Sequence, residues 1–157
     1  MQFENDFEVP APPAAAWALL NDLDRVVPCL PGAALTQVVD GDTYRGELGV
    51  RLGPVAVTFA GEMRYLERDV QAHRARVAAS ARELRNRGHA DATFEFRIAP
   101  RDGGGSRVTV ATDLTLSGPV ARYGRGAGVI ERVAGALLAR FASCLASRIE
   151  AGEGAPR

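Results

Sequence analysis

The 157-residue chain is long enough for one domain with a substantial core. Its 19 basic and 19 acidic residues cancel, so its net charge gives no indication of nucleic-acid binding. Every basic residue is Arg, which excludes mechanisms that need a lysine amine. The N-terminus lacks the pattern of a signal peptide, and no apolar run approaches 18 residues. We therefore expect a cytoplasmic protein.

The first 32 residues predict a strand followed by two short helices. Phe3, Phe7 and Val9 alternate with polar residues, which indicates a strand. The segment "PPAAAWALLND" (12–22) has prolines where a helix tolerates them, at the first turn. In "DLDRVVPCLPG" (22–32), Pro28 and Pro31 end a second short helix. This part of the chain therefore leads from one strand into the rest of a sheet.

The next 86 or so residues read as a run of strands. A hairpin is predicted around residues 40–42, and further strands at 54–69, 72–84, 89–98 and 107–118. In the strand at 54–69 the alternation places the following on one face: Val55, Val57, Phe59, Gly61, Met63 and Tyr65. The segment "PRDGGGS" (100–106) separates the last two strands.

A long helix is predicted over residues 119–150, with a broad apolar stripe. An antiparallel sheet of six or seven strands must cover one face, and only this helix has the apolar surface to do so. The sequence therefore predicts an α+β, helix-grip (START-like) fold, with a curved sheet wrapped around one long C-terminal helix. The domain is expected to span residues 1–150, and residues 151–157 to form a disordered tail.

Small residues at inward positions predict a cavity. Ala75, Ala79 and Ala81 on one strand, and Ala90 and Ala92 on the next, leave little bulk between sheet and helix. The alternative is a tighter sheet with an ordinary core. The residues predicted to line the cavity are Trp17, Leu20, Tyr44, Phe59, Met63, Phe94, Phe96, Tyr123 and Phe141. Each of them could equally be an ordinary core residue. Such a lining suits a hydrophobic ring or chain.

The chain carries no motif for catalysis or metal binding. Cys29 and Cys144 lie far apart and lack ligand spacing, so we expect neither a zinc site nor a disulfide framework, and Cys29 reads as a structural hinge residue. His73 and His89 have no nucleophile pattern beside them. Glu47, Glu62, Asp91 and Glu95 are predicted to point outward, whereas Arg45 could reach the cavity. The sequence favours a binding protein over an enzyme.

Three segments together resemble the carbon monoxide dehydrogenase G-subunit family, within the START-like (SRPBCC) superfamily. They are "AWALLNDLDRVVPCLPGA", "YRGELGVRLGPVAVTFAGEMRYLERD" and "LTLSGPVARYGRG". The resemblance covers about residues 1–150. It implies an accessory protein for a molybdenum hydroxylase, with a quinone or similar lipid as ligand, no metal cofactor, and recruitment of the enzyme to the membrane. Members that anchor have a long C-terminal extension, whereas this chain stops at Arg157. Peripheral contact with the inner face of the membrane therefore stays an open alternative that the short C-terminus does not indicate.

Two other functions remain open at this point. One is a START-like cyclase or hydrolase, which would need a carboxylate, His or Arg inside the cavity. The other is a docking adaptor with a filled core, which could use an arginine cluster for an acidic partner or anionic headgroups. The cluster comprises Arg74, Arg76, Arg82, Arg85 and Arg87.

Overall fold

The structure, a computed structural model, describes residues 1–125 and 128–152. The strands are β1 (Gln2–Val9), β2 (Ala33–Val38), β3 (Thr43–Leu52), β4 (Val55–Asp69), β5 (Arg74–Glu83), β6 (His89–Pro100) and β7 (Ser106–Ser117). The helices are α1 (Pro13–Leu20), α2 (Leu23–Val26), α3 (Val120–Tyr123) and α4 (Val129–Glu150), and a 3-10 turn, Val27–Cys29, follows α2.

All seven strands form one antiparallel sheet in the order β1-β7-β6-β5-β4-β3-β2. Consecutive strands from β2 to β7 are neighbours, and the one distant pairing joins β1 to β7, with Gln2 opposite Asp113. The short helices and α4 lie against the inner face. This is the predicted helix-grip arrangement, and the predicted α+β fold is confirmed.

Alternation along the strands separates an apolar inner face from a charged outer face, as predicted. Phe7 pairs with Val108, which pairs with Ile98, and all three point inward. On the outer face, ion pairs join neighbouring strands: Arg45 with Glu62, Arg74 with Glu95, and Arg107 with Asp6. The expectation that Arg45 could reach the cavity is therefore wrong, because its strand phase places it opposite Glu62 on the outside.

The C-terminal helical segment differs from its prediction. A single helix was expected over residues 119–150, but α3 is a separate turn that ends at Gly124, and α4 begins only after Gly128. Gly128 has a φ of 70°, a left-handed conformation that favours glycine and interrupts a right-handed helix. Of the predicted tail, residues 153–157 lie outside the described residues.

Cys29 and Cys144 form a disulfide, with an S–S distance of 2.01 Å across a sequence separation of 115 residues. The expectation that no disulfide is present is therefore wrong. Spacing could not reveal it, because the pairing depends on the short helices packing against the last two turns of α4. Cys29 and Leu145 belong to one buried cluster with Leu19 and Val26. Cys29 is structural, as predicted, but through a covalent bond.

Gly32 explains why the chain can turn sharply after that bond. Its φ is +80°, and a Cβ there would collide with the carbonyl oxygen of Gly49. The backbone N–H of Gly49 donates to the Gly32 carbonyl at 2.8 Å, so the two segments lie in direct contact. Only glycine satisfies both conditions, and β2 starts at the next residue.

Candidate functional site: the inner face beneath α4

The inner face of the central strands is apolar yet remains partly exposed. These inward side chains are half-buried rather than buried: Met63, Ala79, Ala81, Ala90, Ala92, Phe94, Phe96 and Leu114. In a close-packed core, side chains at the middle of a seven-stranded sheet would lose nearly all contact with water. Their residual exposure therefore shows that α4 does not fully cover the central strands.

The path of α4 explains why the central strands are incompletely covered. The helix approaches the sheet mainly at β1 and β3, which flank the central strands in the curved sheet. Its buried residues are Ile130 near the start and Leu145 near the end, whereas Val133, Leu137 and Leu138 are half-buried. The helix therefore bridges the sheet, with firm contacts towards its ends and looser contacts in its middle.

The nine residues predicted to line a cavity are distributed over three apolar clusters on this inner face. Trp17, Leu20, Tyr44, Met63, Phe94 and Phe96 meet around Val77 and Ile98. Phe59 and Tyr123 lie in a second cluster with Ile130 and Leu114, and Phe141 lies in a third with Leu145. Leu20 belongs to the first and the third, so those two are continuous.

Aromatic contacts close the end of the inner face near α1. The Trp17 ring lies 5.9 Å from Phe96 and 5.7 Å from His73, measured between centroids. The Phe7 and Phe141 rings meet edge to face at 5.8 Å and join β1 to α4. Such pairs add to the apolar burial. Trp17 is buried in this cluster.

Two tyrosines of the cluster that contains Trp17 pack beside an arginine. The Tyr44 and Tyr65 rings lie 6.3 Å apart, and the Arg68 guanidinium stacks 3.7 Å above the Tyr65 ring. Burial raises the pKa of the Tyr65 hydroxyl, and the charge of Arg68 only partly offsets this. Tyr65 thus stays neutral at physiological pH.

Asn5 is a polar residue of the inner face that the sequence pattern did not single out. It falls on the same strand phase as Phe3 and Phe7, opposite Val110, and its side-chain Oδ1 is buried with no hydrogen-bond partner in the described structure. Thr112, another polar group of this face, is buried opposite Phe3. Its position in the alternation of β1, in phase with Phe3 and Phe7, could have predicted that Asn5 points to the inner face.

Glu83 is the carboxylate that β5 carries on the inner face, and it is fully engaged. Its Oε1 accepts hydrogen bonds from the backbone N–H groups of Arg85 and Arg87 and from the Arg87 Nε at 2.9 Å. These bonds, led by the one from the Arg87 side chain, hold the pKa of Glu83 at about 2, below its ordinary 4.5. A permanently charged, hydrogen-bonded carboxylate is unsuited to proton transfer at neutral pH.

The outer face has a polar groove of about 530 Å³ across β4 to β7, in which Ser80 and Asp91 lie. The Ser80 Oγ is 2.9 Å from the Nε2 of His89. The same Nε2 is 3.5 Å from an Asp91 oxygen. A catalytic relay needs the serine and the carboxylate on different ring nitrogens, so this trio is not a nucleophilic triad.

Neither a metal-binding cluster nor a membrane-spanning helix occurs in the described part of the chain. In residues 1–125 and 128–152, His, Cys, Asp and Glu side chains form no group of three or more that could hold a metal ion. Over the same ranges, no helix combines the length and apolar character needed to cross a membrane.

Solved structures with this fold come from several sources. A conserved protein from Geobacillus kaustophilus matches with a TM-score of 0.82 at 16% identity, over 97% of each chain. The Zhui aromatase/cyclase of Streptomyces sp. R1128 matches with a TM-score of 0.66 at 13% identity, over 99% of each chain. Norcoclaurine synthase of Thalictrum flavum gives 0.61 at 14% identity, over 95% of this chain and 86% of the enzyme. At these identities, the likeness concerns the fold alone.

Sequence comparison identifies the family. Among curated proteins, none matches the chain significantly. The family model of CoxG, the G subunit of carbon monoxide dehydrogenase, matches residues 6–150, which run from within β1 to the end of α4. The chain belongs to the CoxG family of carbon monoxide dehydrogenase proteins.

Proposed function

We propose that this protein binds a hydrophobic molecule in the space between the inner face of the sheet and α4, and that it does so without catalysing a reaction. The observation that carries the proposal is the partial exposure of apolar side chains at the centre of the sheet. Removing such surface from water gains roughly 25 cal/mol per Å², so a ligand that covers it binds favourably. Membership in the CoxG family supports this function.

The finer part of the proposal concerns the ligand and the partner. The family name points to a molybdenum hydroxylase of the carbon monoxide dehydrogenase type, which this protein would assist in maturation, membrane recruitment or delivery of an electron acceptor. An isoprenoid quinone or a similar lipid suits the site, because Phe94, Phe96 and Met63 offer flat and flexible apolar surface.

The first test is native mass spectrometry of freshly purified protein, followed by organic extraction of whatever is released. We expect a bound isoprenoid or other apolar compound. A protein that carries nothing and also fails to bind an added short-chain benzoquinone at micromolar concentration would overturn the proposal. Trp17 is the single tryptophan and lies against Phe96, so quenching of its fluorescence reports binding directly.

Two neighbouring alanines of β5 provide matched variants. Ala79 points to the inner face, opposite Met63 and Ala92, whereas Ala78 lies opposite Arg64 and Thr93 on the outer face. Ala79→Leu should fill the space and weaken benzoquinone binding about tenfold or more, whereas Ala78→Leu should leave it unchanged. Equal effects of the two substitutions would place the ligand elsewhere. Thermal unfolding of both variants serves as the control for folding.

The cytoplasmic location expected from the sequence is a proposal that the Cys29–Cys144 bond makes testable. Disulfides persist in oxidising compartments and are rare in reducing ones. Alkylation of cells under denaturing conditions, followed by mass spectrometry, measures whether the two cysteines are thiols. Thiols would support the cytoplasm; a disulfide would contradict it.

A further inference from the structure

The inner face contains one polar group that its apolar surroundings leave unsatisfied. The Oδ1 of Asn5 is buried without a hydrogen-bond partner among the described residues. Leaving a buried acceptor unpaired is unfavourable, and the great majority of buried polar groups in proteins have a hydrogen-bond partner. Along β1 the neighbours on the same face are Phe3 and Phe7, and Val110 lies opposite. None of these three side chains can donate a hydrogen bond, and Thr112, on the same face opposite Phe3, does not donate one to Asn5.

Gly135 of α4 lies next to the Asn5 amide, where any other residue would carry a side chain. A Cβ at position 135 would have one neighbour within 4 Å among the described residues, the Nδ2 of Asn5 at 3.8 Å. The adjacent helix positions Ala134 and Leu138 are half-buried, so this stretch does not pack tightly on the strand. A glycine inside a helix is less favourable than an alanine. The volume that a side chain at position 135 would occupy lies beside the Asn5 Nδ2.

We propose that Asn5 is the polar contact for the bound molecule, and that this molecule carries a hydroxyl group on an apolar body. The inference rests on the proposed function and specifies its ligand class: a phenol, a hydroquinone, a sterol or a long-chain alcohol. A hydroxyl both donates and accepts. It can therefore donate to the Asn5 Oδ1 and accept from the Nδ2, so it satisfies the amide in either orientation of the side chain.

The same reasoning separates two oxidation states of one ligand. A quinone oxygen only accepts hydrogen bonds, so it would leave the Asn5 Oδ1 unpaired. The corresponding hydroquinone donates through its hydroxyl and removes the penalty. If the ligand belongs to a quinone couple, the reduced member binds more tightly to this site.

The test compares two matched probes, a para-alkylphenol and its methyl ether, by Trp17 quenching or calorimetry. The probes have nearly the same apolar body, but only the phenol can donate a hydrogen bond. We expect wild-type protein to prefer the phenol about tenfold. The Asn5→Leu variant should lose that preference and still bind the methyl ether. Thr93→Val, on the outer face opposite Ala78, should keep the preference.

Each outcome decides a separate point. Equal binding of both probes to the wild type would overturn the role of Asn5 and leave the proposed function standing. Failure of both probes to bind would overturn the proposed function as well. If the Asn5→Leu variant does not fold, the test follows the side-chain amide NMR resonances of Asn5 in wild-type protein instead. They should shift with the phenol and remain in place with the methyl ether; no shift with either would overturn the proposal.

Discussion

The two ends of α4 are held to the domain by different chemistry. At the C-terminal end, Cys144 is bonded to Cys29, Leu145 is fully buried, and the Arg148 guanidinium donates to the Arg25 carbonyl at 2.6 Å. At the N-terminal end the helix follows α3, which is tied to the β5–β6 turn through the Val120 N–H and the Arg87 carbonyl at 2.7 Å.

This difference teaches where the domain can open. A covalent bond and a buried leucine resist separation under most conditions. The hydrogen bonds and the ion pair between Glu83 and Arg87, next to α3, depend on pH. Any widening of the space beneath α4 should therefore begin at its N-terminal end, with the C-terminal end as the fixed point. Three predictions test this comparison.

Removal of the disulfide should have the largest effect. In the double variant Cys29→Ser/Cys144→Ser, we expect the free energy of unfolding to fall by roughly 4–5 kcal/mol, because a cross-link across more than 100 residues restricts the unfolded chain strongly. Urea titration followed by Trp17 fluorescence measures this. Wild-type protein in reducing agent should show a similar loss, and the double variant should not respond to the reductant. Unchanged stability would show that the covalent bond does not hold this end.

Truncation of a leucine at the fixed end should have the next largest effect. Leu145→Ala removes a fully buried side chain, and we expect a loss of about 3 kcal/mol. Leu138→Ala, seven residues earlier on the same side of the helix, removes a half-buried side chain and should cost about 1 kcal/mol. Equal losses in urea titrations would mean that the middle of α4 is packed as firmly as its end.

The smallest effect should come from Glu83→Gln at the other end, and it should depend on pH. The folded-state pKa of Glu83 is about 2, below its ordinary 4.5, so its ionised form stabilises the fold above pH 4.5 and that contribution is lost as the pH falls towards 2. The difference in stability between wild type and Glu83→Gln should therefore be present at pH 6 and shrink on acidification. Glutamine still accepts from the backbone N–H groups, which limits the loss.

The control for this variant is Glu62→Gln, which removes an exposed ion pair with Arg45 on the outer face. Exposed pairs contribute little, so its stability should match wild type at every pH. A difference for Glu83→Gln that persists unchanged at pH 2 would contradict the role of its charge.

Much of the fold could be predicted because the strands alternate so regularly. Val55, Phe59 and Tyr65 follow the period of two that a half-buried strand requires, and the prolines and glycines mark the turns. The helix break at Gly128 was missed because the apolar stripe that begins at Val129 was extended back to Pro119, although the glycines at 124, 126 and 128 are a local signal for a break.

The site was less accessible to prediction than the fold. That Phe94 and Phe96 point inward follows from alternation, but whether they meet a ligand or other side chains depends on how far α4 stands from the central strands. The pairing of Cys29 with Cys144 and the neighbourhood of Asn5 and Gly135 arise from contacts between distant segments. No local pattern encodes such contacts.

The pairing of β1 with β7 has a consequence for the order in which the chain folds. Gln2 needs Asp113 as its neighbour, so the first strand made is among the last to be paired. At synthesis rates of about 5–20 residues per second, β1 waits for roughly 5–25 seconds. Sheets closed by such distant contacts fold slowly. A chain truncated before β7 would therefore expose two unpaired strand edges and aggregate, instead of yielding a smaller stable domain.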